Sequence, residues 1–497
     1  MMNGCVKLCK CLFYVVLLAS FVACSSNSGD TGGENVEEIM LPVTTNSEEA
    51  MSLFVAGRDL LDNVRKPEAR RMFDEAIEKD SSFALAHLFR AWSGTSEEDV
   101  FLHLNKAYAL KDKVTPEEKM LIEASYMGYH NQLEQSIGTW EKLSEKVPED
   151  KRVLNSLAYA YSDGKEDYEK AIELLKKSIA LDPDFPANYN SLGFAYQNMG
   201  DVRKAEEAFK KYVELIPNEP NPHDAMGDFY RKNGQFDKAI EEYRKALELN
   251  SRFDESQHKI GESMLYSGRY DDAIRELEHA VSIATSEQNK IWHMAEIARV
   301  YLHKGDQEQA LAKYVEAKSE AQELGLQAYT ANLILDMSTI YMYNSEYAKA
   351  AEYLATFEEY VGNSSLAESV KENLKARELY NRSLLYAMQR EPEKGMEEAS
   401  LLKEHISNSD NPEELEPYHQ AMAYLYYIKD DLGKAKEELE VSEKDSPYTY
   451  YLMAKVAEKD GNGPQANQYY QRVIDWNEDD DIYYSMIRPK AMNKNKM

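Results

Sequence analysis

The sequence predicts an all-α fold, an α–α superhelix of about twelve helix-turn-helix repeats, and three observations lead to it. A pattern of small and aromatic residues recurs every 34 residues in the middle of the chain. Glycine and proline separate the apolar segments at regular intervals. No cysteine follows Cys24, so helix packing rather than disulfides or thiolate metal sites has to stabilise the body.

The first element is a segment that we expect to be removed, residues 1–23. Lys7 precedes an apolar run from residue 11 to residue 22, which is too short to span a bilayer and has the order of a secretory signal. Ala23, Cys24 and a polar stretch follow this run. The order resembles the lipobox of bacterial lipoprotein signals, which implies a signal peptide at 1–23 and acylation of Cys24. An ordinary signal peptide with an incidental cysteine is the alternative.

Residues 24–46 form the second element, a predicted flexible linker. Ser, Gly, Asn and Thr dominate there, and the segment lacks hydrophobic periodicity. Acyl chains on Cys24 would hold the protein at a membrane, each buried methylene contributing about 0.8 kcal/mol. We therefore expect a lipid-anchored protein of the bacterial cell envelope, an outer-membrane lipoprotein that faces the periplasm or the cell surface.

The third element is the repeat array, and its clearest unit is residues 186–219. The units 220–253 and 254–287 follow it without a gap. The signature residues of the first unit are Tyr189, Leu192, Gly193, Tyr196, Ala205, Phe209 and Pro217. Their offsets match W-x2-L-G-x2-Y, A-x3-F and P, so the array resembles the tetratricopeptide-repeat family.

One alanine of each second helix can be followed along most of the chain. The equivalent residues are Ala171, Ala205, Ala239, Ala273, Ala310, Ala350, Gly395, Ala435 and Ala466. The predicted array therefore covers residues 47–475, with longer and less regular units after residue 290. Residues 476–497 change from acidic to basic, and we expect a disordered tail there.

Small residues predict where the two helices of a repeat come closest. Gly193 on the first helix and Ala205 on the second leave room for the backbones to approach, because neither carries a long side chain. Tyr196 and Phe209 are expected to fill the remaining space. A single pair cannot cover its own apolar face, so successive pairs should stack into one continuous core.

The sequence contains no common catalytic motif. HExxH, GxGxxG, GxxxxGK followed by Ser or Thr, and GxSxG are all missing from it. Ser400 with Lys403, and residues 409–411, match two β-lactamase-type motifs, but the third motif, Lys-Thr-Gly, does not occur. Paired carboxylates such as Glu206 and Glu207 lie among lysines at helical spacing, as on a solvated surface. We expect a non-catalytic protein without a cofactor or a metal.

Charge limits the classes of partner. The chain carries 88 Asp and Glu residues against 58 Lys and Arg, a formal net charge of -30. This acidity argues against nucleic acid, and against an anionic membrane surface, as a partner. The remaining candidate is a protein or peptide ligand, with the membrane reached through the lipid anchor.

The family resemblance implies that first helices line a concave groove, in which such a ligand would bind. Their residues outside the signature positions are Asn155, Tyr159, Asn190, Phe194, Asp224, Asp228, Arg231, His258, Glu262 and Tyr266. This mixture is polar and aromatic. It lacks the Lys and Asn set by which some family members clamp a carboxyl terminus, so we do not expect ligands of that kind.

Aromatic residues of the later repeats extend the predicted groove. Those outside signature positions are Trp292, Tyr343, Tyr380, Tyr424, Tyr427, Tyr448 and Tyr451. Tyr301, Tyr314, Tyr341, Tyr386, Tyr426 and Tyr470 fall on signature positions and are expected in the core. Tyrosine combines a rigid apolar ring with a polar tip, which suits interfaces and sugar stacking. Packing within the irregular repeats is the alternative role for the first set.

These observations predict a non-catalytic, protein-binding scaffold or adaptor of the cell envelope. It resembles the tetratricopeptide lipoproteins that serve as adaptors in envelope assembly or proteolysis. The alternative is a glycan-binding lipoprotein that partners an outer-membrane transporter. That class carries long inserted loops with aromatic platforms, for which this chain has little room.

Overall fold

The computed structural model describes residues 41–94, 97–130, 132–406, 415–442, 446–478 and 481–494. The predicted signal peptide at 1–23, Cys24 and the linker as far as residue 40 lie outside the described residues. The described part contains 25 α-helices, a 3-10 helix at Lys111–Lys113 and a π-helix at Ala160–Gly164, and it contains no strand. The all-α fold class is thereby confirmed.

Twenty-four of the helices form twelve successive antiparallel pairs, as the sequence predicts. The first six pairs are α1 (Glu48–Asp62) with α2 (Lys66–Lys79), α3 (Ala84–Trp92) with α4 (Glu97–Leu110), α5 (Pro116–Tyr129) with α6 (Leu133–Lys146), α7 (Lys151–Tyr159) with α8 (Tyr168–Leu181), α9 (Pro186–Asn198) with α10 (Val202–Leu215), and α11 (Pro220–Lys232) with α12 (Phe236–Leu249).

The other six pairs follow the same order, and one further helix comes after them. They are α13 (Asp254–Tyr266) with α14 (Tyr270–Ile283), α15 (Glu287–Lys304) with α16 (Gln307–Glu323), α17 (Gln327–Tyr343) with α18 (Tyr347–Gly362), α19 (Glu368–Met388) with α20 (Pro392–Ile406), α21 (Glu416–Ile428) with α22 (Leu432–Val441), and α23 (Pro447–Lys459) with α24 (Gly463–Ile474). The last helix is α25 (Ile482–Lys494).

The chain divides into two compact units. The N-terminal unit comprises the described residues of 7–229 and 241–253, and the C-terminal unit those of 230–240 and 254–497. Each unit contains its own buried apolar residues, contributed by the facing sides of paired helices.

Glycine places the two helices of a pair in close contact, as predicted for Gly193. A Cβ atom added at Gly193 would lie 2.7 Å from the ring of Phe209, closer than real Cβ contacts allow. The same relation recurs at Gly57, 2.7 Å from Phe73, and at Gly227, 2.4 Å from Tyr243. The predicted packing role of the signature glycine and its large neighbour is therefore confirmed.

The turn within a pair needs one residue in the left-handed backbone region. Gly200 has φ of 84° there, a conformation that glycine adopts without steric cost. Val64 holds the corresponding turn between α1 and α2 with φ of 63°, although a β-branched residue is strained in this region. An aspartate then caps several second helices: the Asp201 side chain accepts a hydrogen bond from the backbone N–H of Lys204.

Signature tyrosines also contact a lysine eight residues later. The Nζ-to-ring distances are 5.1 Å for Lys204 and Tyr196, 5.0 Å for Lys238 and Tyr230, 5.0 Å for Lys349 and Tyr341, 5.6 Å for Lys394 and Tyr386, and 5.3 Å for Lys434 and Tyr426. Each pair joins the end of a first helix to the start of the second by a cation–π interaction. Of the tyrosines expected in the core, Tyr314 and Tyr470 are buried, and the other four are half-buried.

Residues 476–497 differ from the disordered tail that the sequence suggests. Residues 482–494 form α25, which packs against α15, α17, α23 and α24 within the C-terminal unit. Residues 482–488 and Ala491 are buried there. Pro489 lies inside the helix and cannot donate a backbone hydrogen bond, so tertiary packing rather than helix propensity stabilises α25.

Candidate functional site

The predicted binding residues lie on two separate surfaces. The first, which we call the polar face, belongs to the N-terminal unit and consists of Asn155, Tyr159, Asn190 and Phe194 on α7 and α9. The second, the aromatic groove, belongs to the C-terminal unit and is formed by the residues that contact α25. Its lining residues are Tyr266, His303, Tyr343, Tyr380, Asn381 and Tyr448.

An amide network joins the two helices of the polar face. The Asn155 Nδ2 donates to Asn188 Oδ1 at 3.1 Å and to Ser191 Oγ at 3.3 Å. Asn155 itself is half-buried, whereas Asn188 is fully buried behind it. Because these bonds cross from α7 to α9, they fix the spacing of two successive first helices.

Several amide atoms of α9, the second helix of the polar face, have no hydrogen-bond partner among the described residues. They are Asn188 Nδ2, Asn190 Oδ1 and Gln197 Oε1, all of them buried. A buried polar atom without a partner costs about 1–3 kcal/mol. Side-chain amides both donate and accept, so a bound polypeptide backbone that met them after a change of rotamer would recover part of this cost.

Aromatic residues lie one helical turn after Asn155 and Asn190, at Tyr159 and Phe194. Tyr159 is 47% exposed at the end of α7. Phe194 is half-buried, and its ring meets the buried Phe209 ring edge-on at 5.0 Å. The polar face therefore offers hydrogen-bonding groups and accessible apolar surface side by side, on helices that the core holds in place.

Asp224 and Asp228 do not join this face, although the sequence places them there. Both are buried in α11. Asp228 Oδ1 accepts a hydrogen bond of 2.7 Å from the hydroxyl of buried Tyr243. Burial, and then the charge of Asp224, raise the pKa of the Tyr212 phenol. The two carboxylates therefore interact with buried tyrosines of neighbouring second helices, Asp228 with Tyr243 and Asp224 with Tyr212.

Arg231 and His258 are buried in the C-terminal unit rather than open to a partner. Arg231 donates to the backbone oxygen of Asn477 at 2.8 Å and pairs with Glu262 at 3.3 Å. The Nδ1 atoms of His258 and His293 are 2.9 Å apart. Trp292 is half-buried and stacks on His258 at 3.8 Å.

Protonation of His258 is disfavoured in this position. His293 Nε2 lies 3.4 Å from the Asp254 carboxylate, which suits an N–H donor, so His293 Nδ1 accepts and His258 Nδ1 donates. His258 Nε2 is then an acceptor, buried and without a hydrogen-bond partner among the described residues. Burial lowers the pKa of His258 well below its ordinary value.

The aromatic groove holds α25 through its aromatic side chains. The ring centroid of Tyr483 lies 6.5 Å from that of Tyr343, 5.7 Å from Tyr380 and 6.2 Å from Tyr448. Tyr343 and Tyr380, which the sequence assigns to partner binding, are therefore in contact with the chain's own helix. Tyr380 is fully covered, and Tyr343 is half-buried.

Tyr424, Tyr427 and Tyr451 are half-buried at a neighbouring position on α21 and α23. The rings of Tyr424 and Tyr427 are nearly parallel, with centroids 6.0 Å apart and 11° between their planes. Lys455 Nζ lies 5.3 Å from the Tyr427 ring and 5.7 Å from the Tyr451 ring. The sequence places these tyrosines near a groove but gives no sign that a lysine joins them.

Neither a metal centre nor a membrane span is found in the described part of the chain. No three His, Cys, Asp or Glu side chains within it come together as metal ligands would. The helices there are also too short or too polar for one of them to cross a bilayer.

Comparison with known proteins gives family matches in the middle of the chain. Models of the tetratricopeptide repeat match residues 186–219 and 220–286, and a TPR repeat model matches residues 165–200. None of the curated proteins is similar to the chain in sequence.

Two solved structures illustrate the similarity. The crystal structure of MamA is 24% identical, covers 32% of this chain and 93% of its own, and has a TM-score of 0.29. YrrB, described as a TPR protein with an unusual peptide-binding site, is 20% identical, covers 36% of this chain and 91% of its own, and has a TM-score of 0.28.

Proposed function

Because the chain is a tetratricopeptide-repeat protein, we propose that it is a non-catalytic scaffold that binds a protein or peptide partner at its polar face. One observation carries this proposal: α9 contains buried amide atoms of Asn188, Asn190 and Gln197 without hydrogen-bond partners among the described residues, and α7, which is hydrogen-bonded to α9, carries the exposed ring of Tyr159. A polypeptide offers both the backbone groups and the side chains that this combination suits.

The partner is best identified by crosslinking in cells followed by mass spectrometry. The native chain is compared with Tyr159→Ala plus Asn190→Ala, which removes an exposed ring and an amide of the polar face. We expect one specific crosslinked protein to disappear from this variant.

Leu181→Ala is the matched control for that experiment. Leu181 is 44% exposed, close to the value for Tyr159, but it lies at the end of a second helix. The control should keep the crosslinked protein. If the double variant kept the same set of partners as the control, the polar face would not be the binding site.

The second part of the proposal concerns location. We infer that Cys24 is acylated and that the protein is anchored in the bacterial cell envelope, as an outer-membrane lipoprotein facing the periplasm or the surface. The order of charged, apolar and polar residues around Cys24 supports this. Cys24→Ser should release the protein into the soluble fraction, and its retention in the membrane fraction would contradict the anchor.

A glycan ligand is the second candidate, and the parallel rings of Tyr424 and Tyr427 favour it. Sugar rings stack on aromatic faces of this kind. Isothermal titration of the purified chain with soluble oligosaccharides tests the idea, with Tyr424→Ala plus Tyr427→Ala as the control variant. Binding that the double variant loses would support a glycan-binding lipoprotein that serves an outer-membrane transporter.

A further inference from the structure

The aromatic groove of the C-terminal unit is occupied by α25 of the same chain. We propose that this groove is a binding site for a partner helix with the chemistry of α25, and that α25 is a built-in competitor which the partner displaces. This inference goes beyond the proposed function, because it concerns a different surface and a different kind of ligand.

Tyr483 is the central anchor of the bound helix. Its ring is surrounded by Tyr343, Tyr380 and Tyr448, with centroids 5.7–6.5 Å away. Its hydroxyl donates to Asn381 Oδ1 at 2.7 Å. The groove therefore recognises a side chain that has both an aromatic ring and a terminal hydroxyl group, which is a requirement that tyrosine meets.

Tyr484 and Arg488 form the second anchor, one helical turn apart. The Tyr484 ring contacts Tyr266 at 6.2 Å and His303 at 6.0 Å. Arg488 Nη2 donates to the backbone oxygen of Tyr266 at 3.2 Å, and its guanidinium lies 5.4 Å from the Tyr266 ring. An arginine four residues after an aromatic side chain is thus the second element of the recognised pattern.

Hydrogen-bond acceptors beside α25 favour an occupant with basic side chains. The sequence of α25, IYYSMIRPKAMNK, contains three basic residues and no acidic residue, in a chain with a net charge of -30. Lys490 donates to the backbone oxygen of Tyr343 at 3.4 Å, and Lys494 pairs with Glu458 at 2.5 Å. A partner helix with basic side chains at the same positions could donate hydrogen bonds to these two acceptors.

The fit of α25 leaves polar atoms of the groove unsatisfied. Asn381 Nδ2 and His303 Nδ1 are buried and have no hydrogen-bond partner among the described residues, although both side chains contact α25. Pro489 removes one backbone hydrogen bond from the helix itself. A partner helix without proline, and with groups that meet these two atoms, would bind the groove better than α25 does.

The short connection between α24 and α25 explains how α25 can occupy the aromatic groove even if a partner helix binds the groove more tightly. Only residues 475–481 separate the end of α24 from the start of α25. Such a short tether gives α25 a high effective concentration at the groove. Free partner therefore competes only when its affinity or its concentration exceeds this local advantage.

The test uses a fluorescent synthetic peptide of residues 481–494 as the probe and the full chain as the receptor. Tyr483→Ala plus Arg488→Ala in the chain removes the central anchor and the arginine of the second anchor, and it should release α25. We expect this variant to bind the peptide about tenfold or more tightly than the native chain does, because the tethered competitor is gone. A peptide with the same two substitutions is the matched control and should not bind.

Hydrogen exchange measured by mass spectrometry shows whether the variant is folded. Protection lost in α25 but kept in α15 and α17 is expected. If a variant folded in this way failed to bind the peptide, or if the native chain bound it equally tightly, the proposal would be wrong.

A second measurement uses the unmodified chain, in case the variant unfolds. Saturating peptide should accelerate hydrogen exchange in α25 while α15 and α17 stay protected. Unchanged exchange in α25 at every peptide concentration would overturn the proposal. Neither measurement involves Tyr159 or Asn190, so failure of this proposal and failure of the polar-face proposal are distinguishable.

Discussion

The polar face of the N-terminal unit and the aromatic groove of the C-terminal unit are built from the same kind of first helix but differ in what covers them. On the polar face, Asn155 bonds across to α9 and the ring of Tyr159 remains exposed. In the aromatic groove, Tyr483 of α25 lies among Tyr343, Tyr380 and Tyr448. A repeat position that is typical of ligand binding can therefore be used by the chain itself.

The largest difference between the two regions is expected from removing one tyrosine in each. Tyr484→Ala, in the groove, should lower the free energy of unfolding by about 3 kcal/mol, since it deletes a fully buried ring. Tyr159→Ala, on the polar face, should change it by less than about 0.5 kcal/mol. Urea unfolding followed by circular dichroism measures both. If both variants lost the same free energy of unfolding, the two tyrosines would not differ in how far the protein buries them.

Packing behind the polar face gives the next effect. Gly193→Leu should lower the free energy of unfolding by about 1–3 kcal/mol, because a Cβ at this position already overlaps the Phe209 ring. Gly138→Leu is the control, since, apart from its chain neighbours and the backbone of its own helix, no atom of the described residues lies within 4 Å of a Cβ added there. Leucine at this control position should be neutral or stabilising. Urea midpoints that fell equally in both variants would contradict the close approach of α9 and α10.

Low pH should reduce the stability of the helices that form the aromatic groove more than the stability of those that form the polar face. Burial lowers the pKa of His258 and of His303 well below the ordinary value, so the folded state holds both residues neutral. As pH falls below about 6.5 the unfolded chain binds these protons and the folded chain does not, so stability is lost. The expected loss is up to about 1.4 kcal/mol per pH unit for each histidine.

Hydrogen exchange at pH 7.5 and 5.5, corrected for the intrinsic exchange rate, measures this loss locally. Protection should fall in α13 and α15 and stay nearly constant in α7 and α9, since residues 151–222 contain no histidine. Replacement of His303 by Gln should remove part of the fall in α15. A uniform decrease over both regions would show that acid acts on the whole chain rather than on the groove.

The smallest effect is expected from the amide network. Asn155→Ala should lower the free energy of unfolding by about 1 kcal/mol, the value of hydrogen bonds that cross between two helices. Ser144→Ala removes a hydrogen bond to the Glu141 backbone oxygen in the same helix. It should lower the free energy of unfolding by less than about 0.5 kcal/mol, as surface substitutions do. Urea midpoints compare the two. A larger loss for Ser144→Ala would mean that the network does not hold α7 and α9 together.

Regular packing could be predicted from the sequence, and the reason is local. The spacing of Gly193, Ala205 and Phe209 depends only on helix geometry, so a short window contains the whole signal. The same spacing identifies the units at 186–287, whereas the units after residue 290 are longer and less regular. The lysine eight residues after a signature tyrosine is also visible in the sequence, but it is not one of the residues by which the repeat was identified.

The site was less predictable because it depends on distant parts of the chain. Asp228 has the offset of a groove residue, yet the hydroxyl of Tyr243 reaches it from the second helix. Tyr380 has the right register, but a helix more than a hundred residues later covers it. The acidic residues before α25, and Pro489 within it, are typical of a disordered tail, and only tertiary contacts make this segment helical.

The distance along the chain between α25 and its binding site affects how the protein is made. Tyr266, which accepts a hydrogen bond from Arg488, precedes it by 222 residues. At a synthesis rate of about 5–20 residues per second, Tyr266 emerges from the ribosome roughly 10–45 s before Arg488 does. From the time each emerges until α25 follows, the aromatic side chains of α13, α15 and α17 have no helix to cover them, so the nascent chain exposes apolar surface that the finished protein buries.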